Sequence, residues 1–378
     1  MKYIDEFRDK DIVKKLIAEI TKFADSKVNP APHAKAWDFT GGGVNLMEVC
    51  GTHTMAIFRS GIKQLLPKNI NLISGPGCPV CVTSQADIDQ MLALAEMKNV
   101  IITTFGDMLK VPGTKSSLEK ERADGSDIRT VYSPQDTLEI ARQNKNKEVV
   151  FLAVGFETTS PAIASVVSDA KEKKIKNFSI YSCHKLIPPA MKALLQAQEI
   201  KLDGFICPGH VSTIIGSAAY ESICRDYKIP CVISGFEPVD ILETVLMLLK
   251  QIEQKKAKVE IQYKRAVKAQ GNILAQKILH RVFTESDAQW RGLGIIPKSG
   301  LKLNKNYQNF EAKEKFALKA IASQEAKNCL CGEVLRGVKN PSQCKLFAKV
   351  CNPENPYGPC MVSSEGTCSA WYKYNIKA

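Results

Sequence analysis

Val149-Val-Phe-Leu-Ala-Val-Gly-Phe-Glu-Thr-Thr-Ser-Pro161 decides the reading of the fold. From Val149 to Phe156 the run is apolar apart from Gly155, and its β-branched and aromatic side chains suit a strand covered on both faces. Pro161 then stands near the first turn of a following helix, where a missing N–H is tolerated. A strand that hands over to a helix is the unit of parallel α/β structure. Outward from this run the alternation recurs, with strands predicted at 45–50, 71–75, 99–106, 128–132, 177–183, 204–207 and 231–236. The clearest helix follows Ser84, a cap with Asp87 three residues on, and it places Ile88, Met91, Leu92 and Ala95 on one face.

Seven or eight strands exceed one compact half, so two parallel-sheet α/β domains are expected, at residues 30–157 and 158–250. Gly-Phe-Glu at 155–157 and at 235–237 each closes a strand, and Pro-Gly follows strands at 76–77 and 208–209, an echo consistent with related halves. After Lys250 the texture changes to a Lys-rich helix near 251–270, a Gly/Pro-bearing linker around 292–300, a helix over about 310–326, and a turn-rich segment from Cys329 to Cys368. Residues 1–29 and 251–378 are assigned to a third, loop-rich, helix-containing domain.

The chain has 378 residues, enough for two or three domains at roughly 150 residues each. Its longest apolar runs fall far short of the roughly 20 residues of a spanning helix, so no membrane segment is expected. Met1 to Lys10 mixes acidic and basic residues where a secretory leader is apolar, which points to the cytosol. The net charge of +13 favours acidic partners. The lysines are nevertheless dispersed and not interleaved with aromatics, so they read as solvated helix faces and no nucleic-acid partner is expected.

A reducing location turns the thirteen cysteines toward metal binding or thiol chemistry. Cys331, Cys344, Cys351 and Cys368, separated by 12, 6 and 16 residues, lie in a segment with little regular core, which a metal centre would staple. No tight zinc knuckle is present, so iron–sulfur is the better fit, with Cys329 and Cys360 left over, either able to replace a neighbouring ligand and Cys329 in particular able to replace Cys331. Cys78-Pro-Val-Cys81 stands between a strand and a helix, where the positive helix end favours thiolate and a dithiol–disulfide cycle. Cys50 and His53, beyond the first strand, suit a soft metal ion or an activated nucleophile. Glu157, His184, His210 and Glu237 also fall at strand ends, where loops of open α/β sheets converge on a cleft. No phosphate-binding loop and no dinucleotide fingerprint appear.

Glu48-Val-Cys-Gly-Thr-His-Thr54, Gly75-Pro-Gly-Cys-Pro-Val-Cys-Val-Thr83, Gly155-Phe-Glu-Thr-Thr159, Cys207-Pro-Gly-His210, Ser234-Gly-Phe-Glu-Pro238 and the cysteines from Cys331 to Cys368 stand in collinear order over nearly the whole chain. Together they strongly resemble the HypD family of [NiFe] hydrogenase maturation proteins. The resemblance implies two α/β domains, a third domain holding a [4Fe–4S] cluster, and assembly of an Fe(CN)₂CO unit together with HypC. Cyanide would arrive from HypE, with HypF upstream. It further implies Cys50 as a ligand of the iron under assembly, His53 and Thr54 as residues shaping that pocket, Cys78 and Cys81 as a redox pair, and Cys331, Cys344, Cys351 and Cys368 as cluster ligands. The alternative is an iron–sulfur thiol–disulfide oxidoreductase resembling ferredoxin–thioredoxin reductase. Cys183, Cys224, Cys231, Cys329 and Cys360 receive no role.

Overall fold

The computed structural model describes residues 5–25 and 43–374. All eight anticipated strands form, and they divide between two parallel sheets. β1 (Val44–Glu48) pairs with β2 (Ile70–Ser74), after which the chain leaves to build a second sheet. That sheet comprises β3 (Val100–Thr104), β4 (Ile128–Thr130), β5 (Glu148–Ala153) and β6 (Phe178–Ser182), in the order β4-β3-β5-β6. The chain then returns to the first sheet with β7 (Gly204–Pro208), β8 (Cys231–Ser234) and β9 (Val259–Ile261), giving the order β2-β1-β7-β8-β9. β3, β5, β6 and β7 are buried along nearly their whole length, as apolar strands covered by helices on both faces should be.

The sheets do not follow the expected division of the chain. A boundary at 157/158 separates β5 from β6, which are hydrogen-bonded neighbours from Val149↔Phe178 to Ala153↔Ser182. A boundary at 250/251 cuts the helix Pro238–Glu253 and leaves β9 outside the sheet it extends. The N-terminal helix Lys10–Asp25 packs on Pro238–Glu253, hence on the first sheet. The reason is the return crossing, since the β1–β7 pairing, Met47↔Phe205 among its partners, depends on apolar faces meeting far apart in sequence.

Three further expectations are corrected. The helix over 251–270 ends at Glu253 and gives way to β9. The linker over 292–300 belongs to an antiparallel hairpin of β10 (Phe283–Trp290) and β11 (Gly294–Leu303). Its turn uses positive φ at Gly292 and Gly294, and its outward polar side chains disguise the strand pattern. The helix over 310–326 shrinks to Ala312–Lys315, and Ala317, at φ 47°, lies just past its end.

The cysteine-rich segment docks against the strand-end loops. Its helix Thr367–Tyr374 packs on the helix Gly51–Arg59, and its turn Pro359–Val362 packs on Pro79–Val82. Trp371 and Phe58 meet with ring centroids 5.7 Å apart.

Candidate functional site

Cys50 ends the extended run of β1 and starts the helix Gly51–Arg59, occupying its cap position with φ −150° and ψ 121°. Glu48, itself buried, holds this turn by accepting the Cys50 N–H at 3.0 Å and the Thr54 hydroxyl. The loop carrying Cys78 lies directly on it. Gly51 N–H donates to Gly77 O at 2.8 Å, and a Cβ on Gly77 would stand 2.1 Å from the Cys50 nitrogen, so only glycine permits the approach.

The Cys50 side chain, 8% exposed, opens into a cleft of about 340 Å³ between the carboxyl ends of the two sheets. Pro79 follows β2 into its wall, Asp107 follows β3, Gly155 and Thr158 follow β5, and His210 follows β7. Glu365, from the cysteine-rich segment, lines the same cleft and accepts the Thr52 hydroxyl at 2.7 Å. Burial pushes the Cys50 thiol up to about 12, and the carboxylates of Glu365 and Glu48 add to the rise. A thiol so placed loses its proton when a cation takes its place.

Cys78 and Cys81 are joined as a disulfide behind this wall, both buried. Cys78 Sγ accepts the Cys81 N–H at 3.2 Å, and Cys81 Sγ lies 3.7 Å from the carbonyl oxygen of Pro359. The next residue is Cys360, whose Sγ lies 3.0 Å from Cys331 Sγ. These two belong to a nest in which Cys329, Cys331, Cys344, Cys351, Cys360 and Cys368 surround one small apolar cavity of about 10 Å³. Cys329 lies near Cys331, Cys368 and Cys344, and Cys351 near Cys368 and Cys344. Among the described residues no three His, Cys, Asp or Glu side chains are gathered as for a single ion. An all-sulfur donor set in an apolar, loop-rich pocket suits a multi-iron cluster, whose thiolates bind separate irons.

A family model described as HypD, hydrogenase formation hypA family, matches residues 31–375. The chain is 47% identical over 381 residues to the hydrogenase maturation factor HypD of Azotobacter vinelandii, covering 99% of this chain and 97% of that one. It is 42% identical over 375 residues to the factor of that name in Escherichia coli, covering 99% and 98%, and 44% identical over 382 residues to that of Cupriavidus necator, covering 99% and 97%. The chain belongs to the HypD family. In this member of the HypD family no helix among the described residues is long and apolar enough to cross a membrane.

The strand-end motifs read from the sequence do not all face the cleft. His53 is fully buried beneath the loop after β8. Its Nε2–H donates to Gly235 O at 2.9 Å, and its ring stacks on Phe236, which stacks in turn on His210. Burial holds His53 down to about 4, so it is neutral. Thr54 is spent on Glu48. Glu157 points away from the cleft and accepts the Ile187 N–H at 2.9 Å, holding the start of the helix Ile187–Ala197. Glu237 caps the helix Pro238–Glu253 and pairs with Arg8. Of the strand-end candidates, Cys50 and His210 line the cleft itself. Glu365 was missed, because nothing local distinguishes one Glu between Cys360 and Cys368; its meeting with Thr52 spans 313 residues.

Proposed function

We propose that this HypD-family chain serves hydrogenase maturation as a redox-active scaffold on which an Fe(CN)₂CO unit is assembled. In this reading Cys50 offers a thiolate to the iron, which is the substrate, and HypC supplies a second cysteine from the open side of the cleft. HypE delivers cyanide, and His210, Asp107 and Glu365 line the space where it arrives. The observation that carries the reading is one line of contacts. The Cys50 turn rests on Gly77, Gly77 precedes Cys78, and Cys81 abuts Pro359 beside the cysteine nest.

A [4Fe–4S] cluster, when bound in that nest, would supply single electrons. Cys344, Cys351 and Cys368 are proposed as ligands with either Cys331 or Cys329 as the fourth. The engagement of Cys331 with Cys360 supports Cys329 as that fourth ligand. Reduction of the Cys78–Cys81 disulfide takes two electrons and two protons, breaks the S–S bond and leaves two thiols. Cys360 follows Pro359, whose carbonyl oxygen lies 3.7 Å from Cys81 Sγ, and contacts Cys331, which suits this pair to pass those electrons on.

The sulfur-to-sulfur arrangement also fits the thiol–disulfide oxidoreductase reading, and one experiment separates the two. The chain purified anaerobically with HypC should show infrared bands of iron-bound cyanide and CO, and Cys50→Ala should abolish them. Bands that persist in Cys50→Ala would overturn the scaffold role of Cys50.

A further inference from the structure

Reduction of Cys78–Cys81 takes two electrons from outside the chain, and the cysteine nest is where sulfur comes nearest the solvent. Cys329, Cys344 and Cys368 are half-buried, whereas Cys50, Cys78 and Cys81 are buried. Two loops close over this outer side. Cys344 Sγ lies 3.8 Å from Asn328 O, which brings the segments carrying Lys327 and Lys345 together at one edge. Tyr357 N–H donates to Cys351 Sγ at 3.4 Å, and Asn355 donates its side-chain amide to Val350 O at 3.1 Å, so the segments carrying Lys349, Val350 and Tyr357 gather around Cys351.

The charge of this surface has one sign. From Lys327 to Val350 the chain carries five basic residues against Glu333 alone, and Arg336 is the one of the five tied to a carboxylate, that of Glu199. Lys327, Lys345 and Lys349 are exposed and form no ion pair among the described residues. Glu354 is the single carboxylate between Cys351 and Cys360. Among these charges stand Val350 and Tyr357, 46% and 40% exposed, two of the few large apolar side chains that the fold leaves uncovered. A small apolar centre with a cationic rim suits a partner whose contact face is acidic. Redox encounters use interfaces of this small, charge-steered kind.

We propose that the surface formed by Lys327, Lys345, Lys349, Val350 and Tyr357 docks a small acidic one-electron carrier protein, which delivers its electrons into the nest beside Cys344 and Cys351. The proposal rests on the reading of the nest as the redox centre of the scaffold. Each docking passes one electron from the carrier, which is oxidised, to the nest, which is reduced. Two dockings, with two protons from solvent, break the Cys78–Cys81 bond and leave two thiols. The carrier thus enters on the cysteine-rich segment and leaves the open side of the Cys50 cleft free.

Isothermal titration of the anaerobically purified full chain with an acidic flavodoxin, and with basic cytochrome c as control, reads the docking apart from the chemistry. Flavodoxin should bind with a Kd below about 100 μM at about 20 mM salt and at least about tenfold more weakly at about 0.3 M, and cytochrome c should not bind. Lys327→Glu, Lys345→Glu and Lys349→Glu combined should weaken binding at least about tenfold, and the same three changed to Gln at least about threefold, both with parental iron content. Lys120→Glu, Lys145→Glu and Lys256→Glu, exposed on other elements, alter the net charge equally and should leave the affinity within about twofold. Reduced flavodoxin should be oxidised on mixing with the parent, and about tenfold more slowly with the first variant. No binding of flavodoxin at low salt, equal binding of cytochrome c, parental affinity in both nest variants, or equal weakening by the other set would overturn the proposal. Dithionite in place of the carrier separates the two readings. If it leaves Cys78–Cys81 oxidised while flavodoxin binds and is oxidised as expected, the onward relay fails and the docking surface stands. If it reduces the disulfide while flavodoxin does not bind, the docking surface fails and the relay stands.

Discussion

Thr52 donates its hydroxyl to Glu365 at 2.7 Å, so the helix that starts at Cys50 is tied to the cysteine-rich segment at the point where Glu365 enters the cleft. After burial, the Glu365 carboxylate is the largest influence holding the Cys50 thiol protonated. Glu365→Gln keeps an acceptor for Thr52 and removes the charge. The pH midpoint for alkylation of Cys50 by iodoacetamide should fall by about half a unit, raising the rate at pH 9 about threefold. An unchanged midpoint would show that Glu365 does not act on Cys50 through charge.

Gly77 meets the Cys50 backbone so closely that any side chain must push the two loops apart. Gly77→Ala should cost about 1–3 kcal/mol in urea unfolding, as overpacking does. Gly125→Ala offers a contrast: it has open space around it, and only its positive φ resists substitution.

The cysteine nest makes a discriminating prediction about iron. Cys344→Ser and Cys329→Ser should each lower the iron content of the anaerobically purified chain by well over half, whereas Cys331→Ser should keep it and slow reduction of Cys78–Cys81. Loss of iron in Cys331→Ser with retention in Cys329→Ser would reverse the assignment.

Glu157 supplies a pH dependence free of sulfur chemistry. Burial raises its carboxyl to about 7 from an ordinary 4.5, so the folded chain holds a proton that the unfolded chain releases. Its contribution is therefore complete below about pH 4.5 and is lost as pH rises through about 7. Glu157→Gln, which still accepts the Ile187 N–H, lacks this loss. Urea midpoints of parent and variant should run parallel near pH 4.5 and separate toward pH 8 in favour of the variant. A constant difference across that range would mean that Glu157 is ionised in the fold.

Much of the architecture was legible in local pattern. Ser84 does cap the helix Gln85–Ala95, with its hydroxyl oxygen accepting the Asp87 N–H, and Ile88, Met91, Leu92 and Ala95 are all buried. The hairpin was not legible, since Lys298, Lys302 and Glu285 are exposed on a half-solvated ribbon that resembles a polar linker. Nor was the parting of His53 from Cys50: three residues apart on a helix, they point to different neighbours, and only the loop after β8 shows that His53 is sealed beneath Phe236.

Short-range periodicity and side-chain chemistry by themselves determined that this chain makes parallel strands with helices between them, and that its sulfur belongs at strand ends and in a turn-rich tail. Those properties depend on neighbours within a few residues. Tertiary structure alone decided that β7 returns to β1, that the tail closes over Cys50 through Glu365, and that Phe156 stacks on Trp290 beside the cleft. Each of these depends on surfaces that meet across more than a hundred residues of chain, where packing complementarity and charge, and no local pattern, select the partner.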